Sequence, residues 1–242
     1  MAPPDRLLVA LDVETLRDAE ALLGRLEGIV TGCKIGSELF TAAGPAAVET
    51  ARKRGFRVFL DLKFHDIPNT VAGATREATR LGVLMLDVHA SGGVAMMRAA
   101  AEAAKKAAQD FAVPRPLVLG VTVLTSLDRR ALQREVGVFA SVDAHVLRLA
   151  DRAREAGLDG CVASPREIRT LRVALGPEWV IVTPGIRISS PEGGSLRADD
   201  QARVATPRQA RAAGADYVVV GRPITAAPDP AAAAAAILRE LE

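Results

Sequence analysis

The sequence predicts a (β/α)₈ barrel. Two observations carry that expectation. Eight short apolar runs alternate with eight helical patterns, without a break in composition. The runs read as near-continuous Val, Leu and Ile, which suits parallel strands covered by helices on the outside. A third observation removes the main rival, an open doubly wound sheet. That fold needs a glycine-rich phosphate turn after its first strand, and here Asp12-Val13-Glu14-Thr15 stands in that place. The expected organisation is a single domain over residues 1–242.

The elements follow in order. Leu7 to Leu11 is the first strand, ending at Asp12; Thr15 then opens a helix with Leu16, Ala19, Leu22, Leu23 and Leu26 on one stripe. The second strand ends in Cys33-Lys34-Ile35-Gly36, and a helix over 45–54 is closed by Gly55. The third strand, Arg57 to Lys63, is followed by a helix over 70–81 that stops at Gly82. Val83 to Val88 is the fourth strand, running into His89-Ala90-Ser91-Gly92-Gly93 and an Ala-rich helix to Gln109.

Leu117 to Val123 is the fifth strand, ending at Leu124-Thr125-Ser126, with helical stretches at 129–136 and 143–156 after it. Asp159 to Ala163 is the sixth, and Ser164-Pro165-Arg166-Glu167 reads as a helix start with Ser as the cap. Trp179 to Val182 is the seventh, ending at Thr183-Pro184-Gly185-Ile186-Arg187. Residues Gly185 to Gln201 are rich in Ser, Gly and Pro without periodicity; a loop of about 15 residues in a compact domain suits a functional element such as a lid, with a tolerated surface insertion as the alternative. Thr206-Pro207-Arg208-Gln209 repeats the cap signature, and Tyr217 to Val220 is the eighth strand, ending at Gly221-Arg222-Pro223-Ile224. Asp229-Pro230 caps a last helix built on alanine.

In this fold the active site lies where strands end. The polar residues collected there are Asp12, Lys34, Asp61, Lys63, His89, Thr125, Arg187 and Arg222. Asp61 and Lys63 are two apart in a strand and share a face. Such a pair at a buried strand end is costly to desolvate unless mutually compensated. Read singly, each residue has a structural explanation: an ion pair, a helix cap, a hydrogen-bonding histidine. Together they put two acids and two lysines in one bowl. Gly185 and Arg187 after strand seven, with Gly221 and Arg222 after strand eight, suit a phosphate grip. The ligand expected is a phosphorylated small molecule. No H-E-x-x-H or C-x-x-C spacing and no nucleophile elbow occur, so no metal site is expected. What remains is proton chemistry by a lysine held between carboxylates.

Composition narrows the classes further. The chain carries 31 basic and 29 acidic residues, spread evenly, and 3% aromatics, so neither a nucleic-acid footprint nor base-stacking platforms are expected. Cys33 and Cys161 read as buried free thiols rather than a disulfide. The N-terminal residues lack a signal-peptide pattern and no membrane span is indicated, which makes a cytoplasmic enzyme the expectation.

The stretch Asp61-Leu62-Lys63-Phe64-His65-Asp66-Ile67-Pro68-Asn69-Thr70 resembles the signature of the orotidine 5′-phosphate decarboxylase family. So do Asp12, Lys34-Ile35-Gly36, Val88 to Gly93, Val123 to Ser126, Thr183 to Arg187 and Gly221 to Ile224, in the family's usual order from about Leu7 to Leu241. The chain is similar to the stand-alone bacterial type, since nothing in it resembles a fused phosphoribosyltransferase domain. The resemblance implies a (β/α)₈ barrel and cofactor-free decarboxylation of orotidine 5′-phosphate to uridine 5′-phosphate, the last step of de novo UMP synthesis. It implies Lys63 as proton donor to C6 and Asp61 against the departing carboxylate. Lys34 and Asp12 would hold the ribose and the charge network, and Thr125 the base. Arg187, Gln201, Gly221 and Arg222 would hold the phosphate side. It also implies a homodimer in which Asp66 and Thr70 reach into the partner's site. The chain departs from many bacterial members in its longer loop Ile188 to Asp200, which precedes Gln201.

Two other readings stand beside it. A sugar-phosphate decarboxylase or aldolase of the same barrel suprafamily shares the Asp-x-Lys-x-x-Asp strand end, but resembles metal enzymes with an acid where Lys34 stands. A non-catalytic binder of phosphorylated ligands would bind without turnover.

Overall fold

The computed structural model describes residues 1–187 and 204–242, so Gln201 and the loop Ile188 to Asp200 lie outside the described residues. Eight parallel strands close into a barrel in chain order. They are β1 (Leu7–Ala10), β2 (Gly32–Gly36), β3 (Arg57–Phe64), β4 (Met85–His89), β5 (Leu117–Val121), β6 (Gly160–Val162), β7 (Val180–Thr183) and β8 (Tyr217–Val220). β8 returns to β1 with Val219 opposite Leu8, which removes both sheet edges.

Side chains alternate across each strand, and the two faces bury against different partners. The outward set, including Leu7, Val9, Ile35, Leu60, Leu86 and Val220, packs under the surrounding helices. The inward set is smaller: Leu8, Ala10, Phe59, Met85, Leu119, Val182, Tyr217 and Val219 fill the barrel itself. Two residues further along the inward columns stand Asp12, Asp61, Asp87 and Gly221. The apolar plug thus forms the floor on which the polar layer rests. At the opposite end, Arg57 ties β3 to Asp5 and Thr31, and Arg172 joins Asp216 and the Gly214 carbonyl.

Helix starts follow local chemistry. Thr15 accepts from the Asp18 amide to cap Leu16–Leu26, whose buried Ala19, Leu22, Leu23 and Leu26 are the expected stripe. Thr206 and Gln209 form a reciprocal capping box at the head of Pro207–Ala213. The matching signature at Ser164 behaves differently. Ser164 Oγ accepts from the Arg166 amide, the segment makes a turn, and the helix begins only at Ile168. The fully buried Ser164 is spent on that turn rather than on a helical N–H. A helix over Ser37–Ala43, ended by Gly44, was not expected from periodicity and follows β2 directly. Cys33 and Cys161 are buried free thiols, each pushed by burial up to about 12. Among the described residues no helix is long and apolar enough to cross a membrane.

Candidate active site

The C-terminal ends of the strands surround a cavity of about 540 Å³. That volume is within the usual range for small-molecule sites. Its lining brings together Asp12, Lys34, Asp61, Lys63, Thr125, Arg187, Gly221 and Arg222, reached from the ends of β1, β2, β3, β5, β7 and β8 or the segments that follow them.

Its polar core is an alternating chain of charge. Lys34 Nζ lies 2.9 Å from Asp12 Oδ1 and 3.3 Å from Asp61 Oδ2. Lys63 Nζ donates to the other oxygen of Asp61 at 2.5 Å. Lys34 and Asp61 are each only 9% exposed, so their pairing is barely screened by water. Burial alone pushes Lys34 down, but Asp61 and Asp12 outweigh it and raise it above the usual lysine value. Asp61 shows the same contest with opposite sign. Burial raises it, yet Lys34, a hydrogen bond with Asp87 and Lys63 together hold it below the usual carboxylate range. Gly36 makes room for this pair: a Cβ there would lie 2.9 Å from Lys34 Nζ and 3.4 Å from Asp12 Oδ1.

Lys63 is held in an uncommon backbone conformation. Its φ is +51°, a region that costs a non-glycine residue of order 1–3 kcal/mol. The β3–β4 register shifts at the same place, between the pairs Leu60 with Leu86 and Phe64 with Val88. Four residues of β3 therefore span two of β4, and the bulge re-aims the strand end into the cavity. The Lys63 amide, displaced from the ladder, donates to Asp87 Oδ1 at 2.8 Å.

Asp87 is the residue that the sequence reading passed over. It sits mid-strand in β4, fully buried, and does not line the cavity. The polar residue at the end of β4 is instead His89, which turns to His65 with ring centroids 5.2 Å apart. Burial, His65 and Lys63 depress His89 below its ordinary value. The signal for Asp87 was its inward parity with Met85, on the face that carries Asp61 in β3.

The end expected to grip a phosphate is built from backbone as much as side chains. Gly185 has φ +80°, a left-handed turn open to glycine, and lines the cavity beside Arg187. Arg187 N bonds the Ala205 carbonyl, and Ala205 N the Gly185 carbonyl, so the chain is pinned on both sides of residues 188–203. Gly221 leads from β8 into the short helix Arg222–Thr225.

Asp66 and Thr70 are not part of this cavity. Both are exposed at the start of the helix Pro68–Arg80, and Asp66 Oδ1 accepts from the amide of Ile67. Ile67 itself, a large aliphatic side chain, is 66% exposed.

Known proteins resemble this chain over most or all of its length. Residues 5–237 match the family described as orotidine 5′-phosphate decarboxylase / HUMPS. The orotidine 5′-phosphate decarboxylase of Moorella thermoacetica is 57% identical over 242 residues, covering 100% of this chain and 94% of that protein. The one from Syntrophomonas wolfei is 48% identical and both chains are covered fully. Among solved structures, orotidine 5′-phosphate decarboxylase from Lactobacillus acidophilus superposes with a TM-score of 0.83 at 35% identity, covering 98% of this chain and 100% of that one.

Proposed function

The chain belongs to the orotidine 5′-phosphate decarboxylase / HUMPS family and decarboxylates orotidine 5′-phosphate to uridine 5′-phosphate in pyrimidine biosynthesis, and we propose that Lys63 delivers the proton that replaces CO₂. The alternating chain Asp12, Lys34, Asp61, Lys63 is the observation that carries this reading.

Loss of CO₂ leaves an electron pair on C6 of the pyrimidine. That carbanion needs a cation beside it as it forms and a proton once formed. The Lys63 ammonium serves both needs from one position. Asp61 orients it, and Lys34 holds Asp61 in turn, so the ammonium is in place before substrate arrives. The substrate carboxylate, set against Asp61, meets a negative charge that its departure relieves. Lys34 and Asp12 take the ribose hydroxyls, and Thr125 contacts the base. Arg187, Gly221, Arg222 and Gln201 hold the phosphate, far from the reacting carbon, where binding energy can be used to close the site.

The position of Lys34 favours this chemistry over a metal-dependent sugar-phosphate reaction on the same scaffold. Its ammonium stands between the Asp12 and Asp61 carboxylates, where a divalent cation would otherwise be drawn.

The working unit is a cytoplasmic homodimer. Asp66 and Thr70 are exposed on the strand-end side of the chain, beside the uncovered Ile67, and a partner's site is where they would act.

The phosphate grip can be tested by changing the ligand and the protein together. Arg222→Ala is expected to lower kcat/KM for orotidine 5′-phosphate by roughly 10²-fold, the scale for losing a charge-assisted anion contact. The slow decarboxylation of orotidine, which lacks the phosphate, should be unchanged. Equal losses on both substrates would place Arg222 elsewhere in the mechanism.

A further inference from the structure

Asp87 is buried without exposure in the β4 wall behind Lys63. One oxygen, Oδ1, accepts from the Lys63 amide at 2.8 Å. The other, Oδ2, is equally buried and has no donor to accept from. The acid that Asp87 meets is Asp61, and the two carboxyls are placed to share a hydrogen bond. Two carboxylates cannot make that bond without a proton between them. The charged groups facing Asp87 are Asp61 and Lys63, both from β3; from β5 its register partner is Leu119. Both lysines of the site are already engaged by Asp61 and Asp12. An ionised Asp87 would add a third acid to a chain in which two acids and two lysines balance.

We propose that Asp87 is a positioning residue for the decarboxylation: as a neutral acid it donates from Oδ2 to Asp61 and accepts at Oδ1 from the Lys63 amide. It thus holds both members of the reacting pair at once. The backbone of Lys63 is kept in its left-handed conformation at the bulge, and the Asp61 carboxylate is kept facing the ammonium. Burial, then the Asp61 charge, hold the Asp87 carboxyl well above the usual carboxylate range, which agrees with the proton assignment. The proposal rests on Lys63 being the proton donor, and its test separates the two.

Asp87→Asn keeps the pattern, because an amide accepts at Oδ1 and donates from Nδ2. Asp87→Ala removes both contacts. Asp87→Ala is expected to lower kcat by about 10²-fold with KM within about threefold, the scale of a misplaced catalytic group. Asp87→Asn should restore kcat to within about threefold of the parent. An infrared carbonyl band of a neutral carboxylic acid should be present in the parent at neutral pH and absent from Asp87→Asn. Stability supplies a further readout. Above the ordinary Asp value near 4, the unfolded chain releases a proton that the folded chain keeps, so this group lowers stability as pH rises. The amide has no such cost. The denaturation midpoint of Asp87→Asn should therefore pull ahead of the parent as pH goes from about 4 to about 8.

Asp87→Asn as slow as Asp87→Ala would overturn the proton assignment, as would a missing acid band with a pH-independent midpoint gap. Parental kcat in Asp87→Ala would overturn the positioning role. Activity retained by Lys63→Ala would overturn the reading of Lys63 and the positioning role with it, while the band and the midpoint gap would still report the proton.

Discussion

Lys63→Ala is expected to lower decarboxylation by at least about 10⁴-fold while leaving the barrel folded. The size follows from the two tasks proposed for one ammonium, proton transfer and stabilisation of the developing carbanion. The fold should tolerate the change for three reasons. The Lys63 side chain is 35% exposed, so its pairing with Asp61 is partly screened. Asp61 keeps Lys34 at 3.3 Å and is not left without a cation. Alanine meets the same left-handed backbone cost as lysine, and its amide still donates to Asp87. The check is CO₂ release from orotidine 5′-phosphate, with uridine 5′-phosphate binding and a thermal melt on the same preparation. A rate within tenfold of the parent would contradict the role given to Lys63.

Asp66→Asn is expected to be nearly as damaging, and for a different reason. Asp66 is exposed, outside its own chain's cavity, and three residues beyond the bulge. If it acts in the partner's site, each site takes Lys63 from one subunit and Asp66 from the other. A dimer of one Lys63→Ala chain and one Asp66→Asn chain then has one doubly damaged site and one intact site. Co-expressing the two inactive variants in equal amounts should return about a quarter of parental activity, since half of the dimers are mixed and half of their sites are whole. No recovery from purified mixed dimers would show that the sites are not shared.

The barrel was legible because buried parallel strands leave a strong trace: every run from Leu7 to Val220 is apolar and ends in a polar or glycine residue. The ends were read less sharply. β5 closes at Val121, two residues before its apolar run does, and Ser164 makes a turn where its neighbours spell a helix start. The hydroxyl there is buried and taken up by the Arg166 amide, and the helix begins only at Ile168. In the site, Asp12, Lys34, Asp61 and Lys63 were found because charge at a strand end is conspicuous. Asp87 was missed because it lies one layer deeper, inside an apolar run, where only the alternation of faces reveals it. The bulge that turns Lys63 into the cavity left no mark in composition. Asp66 and Thr70 show the limit of one chain: nothing among the described residues gives them a cavity to line.

Decarboxylation of orotidine 5′-phosphate in excess EDTA tests most directly whether this charge chain performs the reaction unaided. An unchanged rate is expected, because Lys34 supplies the positive charge between Asp12 and Asp61, and Lys63, paired with Asp61, is the proposed proton donor. A rate that collapses with EDTA and returns on adding Mg²⁺ would contradict it.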